Sequence, residues 1–586
     1  MPILLSRLWS SLSSHRKIQF GIVSLLMLIA SLAEIISLGA VLPFLGVLTS
    51  PDRVFNSLLA QPLINVLGIS SPTQLLLPLT IAFVLASIFS GLARLILLWF
   101  QTRLGYAIGA DISIDIYRRT LYQPYSVHVG RNTSEIIAAI ANKSNLVVYQ
   151  TLLPILSFFS SVLILIAILF ALIAIEPSVA VSAFIGFGGI YAIVILVTKK
   201  RLTLYGQQIN KDSNRVIKAL QEGLGGIRDV LIDGTQEAYC NIYRSADIQL
   251  RRAQAGIQIV GTAPRFIIEA LGMVLIASIA FVLSKRPEGI TVAIPILGAL
   301  ALGAQRLLPL LQQLYASWTS LRSGRASLED VLGLLDQPLP NYFLFPNSKA
   351  LPFHRQIELS NLSFRYGKTL PWVLEGINLK ITAGSRIGFI GETGSGKSTL
   401  LDILMGLISP TQGQLMIDGC VITADNQRGW QTHITHVPQA IYLADTSIAE
   451  NIAFGHVAEE IDYEAVRFAA QKAQLSEVIE SWDNEYNTLV GERGVRLSGG
   501  QRQRIGIARA LYRKADVIIL DEATSALDNE TESSVMSAIE SLDKSLTVII
   551  VAHRLTTLKN CTQIVEMAGG KIQRIGSYQD IIGGVI

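Results

Sequence analysis

Long apolar runs fill the first 320 or so positions of the chain, and mixed, charge-bearing sequence fills the rest. Six stretches, near 20–48, 75–100, 147–175, 178–198, 263–284 and 290–315, are long enough to cross a bilayer, which takes about 20 mostly apolar residues. The polar segments after the second and fourth runs keep a helical spacing of apolar positions, as in Ile209, Val216, Leu220 and Leu224. That period predicts that the membrane helices continue well beyond the bilayer. Pro and Gly near Pro124–Val129 and Gly226–Gly234 mark the points where these long hairpins reverse. Met1–Ser14 is expected to form a short interfacial helix. The first run exceeds the roughly 7–15 apolar residues of a signal peptide, and no small-residue cleavage site follows it.

Charge placement orients these spans. Segment 101–150 carries Arg103, Arg118, Arg119, Arg131 and Lys143, and segment 199–260 carries ten Lys and Arg, whereas the other three loops hold only Arg53, Lys285 and Arg286. Cytoplasmic loops retain positive charge, so both termini are expected in the cytoplasm of a plasma (inner) membrane protein. Ionisable residues inside spans are costly, and Glu34, Arg94, Arg265, Glu269 and Arg306 are of this kind. Arg94 and Arg306 could snorkel or pair with an acidic residue, or they could line a cavity. Arg265 and Glu269 stand four apart on one helix face and could pair with each other. Gly186-Phe187-Gly188-Gly189 suits close helix packing.

After Leu321 the character changes. A Pro-rich linker, Gln337-Pro338-Leu339-Pro340, leads to strand-like alternation over Ile357–Phe364 and Val373–Ile381. An apolar strand, Arg386–Ile390, then runs into Gly391-Glu392-Thr393-Gly394-Ser395-Gly396-Lys397-Ser398-Thr399. This is a phosphate-binding loop in its strand–loop–helix setting. Its glycines allow close backbone approach, so that successive N–H groups and the helix N-terminus surround phosphate oxygens. Lys397 is placed for the β and γ phosphates and Ser398 for Mg²⁺. A second apolar run, Val517–Leu520, reads as a buried parallel strand and ends in Asp521-Glu522. Asp521 is expected in the Mg²⁺ shell, and Glu522 is expected to act as general base on the attacking water.

Between these motifs lies Leu497-Ser498-Gly499-Gly500-Gln501, which resembles the signature sequence of ABC transporters. The rest of that family's set matches in order: Tyr366 in the adenine-stacking loop, Gln439 in the Q-loop, Ser525-Ala526-Leu527-Asp528 in the D-loop and His553 as the switch histidine. Val490–Gly494 is similar to an exporter loop that touches the membrane helices. The resemblance implies ATP and Mg²⁺ as ligands. It implies Glu522, His553 and Gln439 as hydrolytic residues, Gln439 also joining Ser398 and Asp521 at the metal. Ser498 and Gly500, with Gly499 and Gln501, are then implied to close over nucleotide held by a second copy. With one ATPase domain carrying its full hydrolytic set, a homodimer is the simplest assembly, ahead of a degenerate heterodimer.

The expected architecture is therefore an all-α six-helix transmembrane domain (1–335), a linker (336–356) and an α/β P-loop ATPase domain (357–586). Within the exporters, Ala33-Glu34-Ile35-Ile36-Ser37-Leu38-Gly39, Pro43-Phe44 and Ile441-Tyr442-Leu443 are similar to the branch that flips lipid-linked oligosaccharides or polysaccharide precursors. Arg94, Arg265 and Arg306 could face the anionic headgroup of such a substrate. An exporter of lipids, peptides or hydrophobic drugs is the alternative. No protease domain precedes the first span, which disfavours a peptide-processing exporter. Fused domains disfavour an importer, and six spans disfavour a soluble ABC ATPase.

Composition changes this picture little. Half of the 586 residues are hydrophobic and mean hydropathy is +0.45, as a part-membrane chain requires. The net charge of +4, with no basic stripe interleaved with aromatics, excludes a nucleic-acid partner. Cys240, Cys420 and Cys561 are few, widely spaced and on segments expected in the cytoplasm, so neither a disulfide framework nor a metal site is expected.

Overall fold

A computed structural model describes the chain apart from residues 50, 57–63, 66–67, 176, 285–289, 341–349, 525–526, 541–544, 553 and 583–586. It also leaves out the side chains of 42, 45, 49, 53, 171–172, 174–175, 177–184, 186–187, 272, 275–276, 279–280, 282–284, 290–306, 540, 555–556 and 582. The expected substrate-facing Arg306, the D-loop Ser525 and Ala526, and His553 thus lie outside the described residues. The chain divides into two compact units, Met1–Gln123 with Arg131–Pro338, and Pro124–Gly130 with Leu339–Ile586.

Among its described residues the first unit is built of helices joined by turns. Helix α1 (Pro2–Ser11) is followed by α2 (Ser14–Thr49), α3 (Leu76–Leu121), α4 (Leu153–Ile175), α5 (Pro177–Gly225), α6 (Gln236–Ser284), α7 (Ile290–Ser323) and α8 (Arg325–Leu335). Among the described residues, Ser14–Leu48, Pro72–Leu121 and Thr133–Phe170 are each long and apolar enough to cross a membrane. The other three expected spans fall in α5, α6 and α7, where many side chains lie outside the described set. Helix α3 packs on α2, α5 on α6 and α4 on α7. In α1 the apolar stripe turns inward: Leu4 and Leu8 join Ile108, Ile112, Val331 and Leu332 in one core, as expected for a short amphipathic helix.

The reversal points behave as their residues dictate. Pro124 sets the N-terminus of a five-residue helix, Tyr125–Val129, because proline cannot continue α3 and its missing N–H costs nothing at a helix start. Gly226 opens the short helix Ile227–Ile232, and Gly234 follows it with φ of 65°.

In the second unit, β1 (Gln356–Phe364), β2 (Leu374–Thr382), β4 (Gln412–Ile417) and β5 (Cys420–Val421) form an antiparallel sheet in the order β2-β1-β4-β5. The second sheet has six strands, in the order β10-β9-β3-β8-β7-β6. It is built from β3 (Arg386–Gly391), β6 (Ile434–Val437), β7 (Val517–Asp521), β8 (Thr547–Val551), β9 (Gln563–Ala568) and β10 (Lys571–Gly576). The pairs β9–β3–β8–β7–β6 are parallel and β10 closes the edge antiparallel. Every residue of β8 and the first four of β7 are buried, which is why both read as unbroken apolar runs rather than alternating ones. Three helices bear on the site: α9 (Lys397–Leu404), α10 (Gly499–Tyr512) and α11 (Asn529–Glu540).

Candidate functional site

Ligands of open parallel sheets bind at the carboxyl ends of the strands, and the sequence motifs gather there. β3 ends in the glycine-rich loop, β7 ends in Asp521, and only β8 lies between them. Two inter-strand spacings separate the phosphate loop from the carboxylates, or about 9–10 Å, room for a phosphate chain and a hydrated cation.

The loop's backbone is possible only with glycine at its two ends. Gly391 has φ of 148°, and a Cβ there would stand 2.2 Å from the Met567 carbonyl oxygen. Gly396 caps α9 in the left-handed region at φ of 96°, where a Cβ would meet the Leu374 methyl at 2.7 Å and the Val373 carbonyl at 3.0 Å. Helix α9 starts at Lys397, whose side chain folds back over the loop. Its Nζ donates to the carbonyls of Gly391 at 2.7 Å and Glu392 at 2.9 Å, and Lys397 is only 9% exposed. The ammonium is thus already stripped of most of its water and centred where phosphate oxygens belong. Ser398 is exposed beside it.

Across β8, Glu522 takes a left-handed backbone at φ of 50°. Its N–H donates to the Val551 carbonyl at 3.0 Å, and its Oε2 accepts from Gln439 Nε2 at 2.6 Å. Gln439 and Glu522 stand 83 positions apart in the chain, and the β6–β7 pairing brings them together. Asp402, outside every sequence motif, joins the site. It sits one helical turn beyond Ser398, on the same face of α9, and its carboxyl is pushed up to about 6 by burial and by the negative charge of Asp521. Its position four after Ser398 was the only available signal.

A cation fits this arrangement. Ser398 and Asp521 offer hard oxygen donors of the kind Mg²⁺ takes alongside substrate phosphates, and the repulsion between Asp402 and Asp521 is what a divalent ion would relieve. Among the described residues no group of three or more His, Cys, Asp and Glu side chains could hold a metal by protein ligands alone, so the phosphates would have to complete the shell.

The signature segment forms the N-terminus of α10. Ser498 Oγ accepts from the Gln501 N–H at 3.2 Å, and Gln501 Oε1 accepts from the Ser498 N–H at 2.8 Å, a reciprocal capping box. Ser and Gln three apart produce this pattern, and the intervening Gly499 and Gly500 put no side chain over the first turn. Ser498 is exposed. A pre-capped, uncovered helix start of 14 residues attracts anions.

Tyr366 follows β1, its ring edge-on to Phe364 at 4.9 Å between centroids and its hydroxyl 3.2 Å from Thr399 Oγ1 on α9. Asp528 caps α11 by accepting from the Thr531 N–H at 2.9 Å and hydroxyl at 2.7 Å, bonds that hold it below the ordinary aspartate range.

In the helical unit, Arg94 forms an ion pair with Glu34, which is fully buried and also accepts from Ser90 Oγ at 2.6 Å. Arg265 Nε donates to Glu269 Oε1 at 2.8 Å, and Gln312 reaches the same oxygen at 3.4 Å. Each described arginine of the expected substrate set thus carries its own carboxylate.

Residues 18–286 match the family described as ABC transporter transmembrane region, and residues 374–525 match the family described as ABC transporter. An ATP-dependent lipid A-core flippase of Francisella tularensis is 30% identical over 83% of this chain and 79% of its own length. That of Cupriavidus metallidurans is 29% identical over 67% of this chain; there the match spans 66% of the relative, just under two thirds. The solved structure of a bacterial Atm1-family ABC exporter with ATP bound superposes with a TM-score of 0.79 at 22% identity, covering 97% of this chain and 96% of that one. With its helical membrane region followed by a sheet-containing ATPase domain on one polypeptide, this chain belongs to the ABC transporter family.

Proposed function

We propose that the protein is an ATP-driven exporter that works as a homodimer and moves an amphipathic lipid with an anionic sugar headgroup across the plasma membrane. Both termini face the cytoplasm. ATP is held by Gly391–Thr399 with Tyr366 against the base, and Mg²⁺ by Ser398, Asp521 and Gln439. Bound there, the ion would neutralise charge on the phosphates. Glu522 takes the proton of the attacking water, oriented by Gln439 and assisted by His553. Ser498, Gly500 and the D-loop with Asp528 act on nucleotide in the second copy. Closure of two ATPase domains over ATP then biases the membrane helices towards the outward-open state, because ATP binds that state better.

The observation that carries this reading is the 2.6 Å hydrogen bond between Gln439 and Glu522, across β8 from a lysine already poised inside a phosphate loop. It poises a carboxylate rather than merely capping a strand. Glu522→Gln keeps the shape and an acceptor for Gln439 but cannot take a proton. It should lower hydrolysis by about 10²–10⁴-fold while ATP still binds, and turnover at the parent rate would exclude Glu522 as the base.

For the cargo, the Glu34 motif and the relatives named lipid A-core flippases support a lipid-linked sugar. The carboxylate on each described arginine supports a second reading, export of an uncharged hydrophobic compound. Proteoliposomes offered a polyprenyl-pyrophosphate oligosaccharide, a lipid A-core glycolipid and a neutral hydrophobic drug separate the two: ATP-dependent movement of the drug alone would replace the lipid reading.

A further inference from the structure

Glu532 on α11 is a buried carboxylate that none of the nucleotide motifs includes, its side chain 8% exposed. Its two oxygens are divided between loops that converge on the hydrolytic turn. Oε1 accepts from Thr524 Oγ1 at 2.9 Å and from Thr557 Oγ1 at 2.6 Å, and Oε2 accepts from Arg554 Nη1 at 2.8 Å. Arg554 in turn donates to the Leu527 carbonyl at 3.2 Å. One carboxylate therefore ties the turn just after Glu522, the segment leading to Asp528 and the loop that follows β8.

Burying a charge is unfavourable unless every lone pair is well used, and a buried ion pair seldom adds net stability over an apolar replacement. What such a group supplies is direction. Glu522 stands in a left-handed conformation, a strained state for a non-glycine residue that persists only when its surroundings over-determine it. On one side its N–H is pinned to Val551 at 3.0 Å. On the other side, two residues on, the hydroxyl of the buried Thr524 is pinned to Glu532.

We infer that Glu532 is a positioning residue for ATP hydrolysis: through Thr524 and Arg554 it holds the Glu522 turn in its strained, reactive geometry. The inference rests on the reading of Glu522 as the base. Both Glu532 oxygens are engaged by protein groups, on Thr524, Thr557 and Arg554, so its loss should slow the chemical step and leave nucleotide binding, which depends on the loop at Gly391–Thr399, nearly unchanged.

The test uses the full chain in lipid nanodiscs, with kcat and KM for MgATP and the Kd of a non-hydrolysable ATP analogue measured for each variant. Thr524→Val removes one hydroxyl and keeps the shape; Thr524→Ser keeps the hydroxyl. Glu532→Gln keeps an acceptor for both threonines but turns an amide N–H₂ towards Arg554. Misplacing a catalytic group by about 1 Å can cost on the order of 10²-fold. Thr524→Val and Glu532→Gln are therefore expected to lower kcat by about 10-fold or more, with the analogue's Kd within about threefold of the parent, and Thr524→Ser to recover most of the rate. If Glu532→Gln does not fold, the Thr524 pair decides alone. Thr524→Val with a parental kcat, or with kcat and affinity falling together, overturns the inference. In that event an inactive Glu522→Gln leaves the reading of the base standing, and an active one removes that reading instead.

Discussion

Lys397→Met removes the ammonium while keeping most of the buried stem, and the structure sets the size of the effect. In the folded chain Nζ lies between two carbonyls at 2.7 and 2.9 Å in a residue 9% exposed, so its dehydration has been met during folding and is not charged again when ATP arrives. At about 3 Å and an effective dielectric of about 20, one unit of phosphate charge attracts it by about 5 kcal/mol. Most of that gain is offset by the phosphate's lost hydration and by the weakened carbonyl contacts, leaving about 2–3 kcal/mol, as is usual for hydrogen bonds to charged groups. The expected loss of affinity is therefore about 30- to 150-fold. Titration of detergent-solubilised protein with a fluorescent ATP analogue measures it, and the nucleotide-free melting temperature reports separately on the two carbonyls left without their donor. Binding of the analogue within about threefold of the parent, in a variant that melts normally, would refute the placement of Lys397 at the phosphates.

Two further outcomes follow from the same unit. Asp402 is pushed up to about 6 from an ordinary value of 3.8, so between about pH 4 and 6 the folded chain binds more protons than the unfolded one and stability falls as pH rises. Without Mg²⁺, Asp402→Asn should therefore melt increasingly above the parent across that window and level off beyond it, and a gap independent of pH would show that Asp402 feels neither burial nor Asp521. Trp430, fully buried, donates its indole N–H to the Leu404 carbonyl at 2.7 Å in the last turn of α9; Trp430→Phe leaves that acceptor unpaired and should cost about 1–3 kcal/mol, read by denaturant unfolding, with an unchanged midpoint as the refuting result.

The parts of the site that were legible in the sequence are those in which a few adjacent residues do the work. Gly391–Lys397 requires its glycines because a Cβ at Gly391 or Gly396 has no room, and a local backbone requirement leaves a local mark. Ser498 and Gln501 are readable because a capping box spans one helical turn. The strand character of Val517–Leu520 is equally local, since burial on both faces demands a continuous apolar run. Gln439 and Glu522 shared a site in the sequence only through the family resemblance, and Glu532–Arg554 left no mark at all, because they join residues 83 and 22 positions apart; strand pairing makes the first two neighbours, and the placement of α11 beside the loop after β8 the second two. Asp402 was hidden for another reason: its significance lies in the charge of Asp521, supplied by a different strand.

The membrane arginines show how pairing alters what a charge can recognise. Read along the chain, Arg94 is a cation in an apolar helix that could line a cavity, snorkel or pair with an acidic residue such as Glu34, and the fold shows the pairing. In the fold it lies against Glu34, which is 0% exposed, while the Arg94 side chain remains 44% exposed. The pair is therefore asymmetric. The carboxylate is committed to the protein, fixed by Arg94 and Ser90, whereas the Arg94 side chain, with five N–H donors, stays partly exposed. A buried carboxylate behind an exposed guanidinium lowers the net field but fixes the direction of the remaining donors. On the proposed lipid reading, such a pair would recognise by geometry, favouring an oxyanion that accepts two N–H groups, such as a phosphate ester, over diffuse negative charge. Arg265 is held the same way by Glu269, at 58% exposure against 41%, but with both partners half open the asymmetry is smaller. On the proposed lipid reading, the more asymmetric Arg94–Glu34 pair, rather than Arg265–Glu269, is the one to substitute first: Arg94→Ala that leaves lipid movement undiminished would remove it from the mechanism.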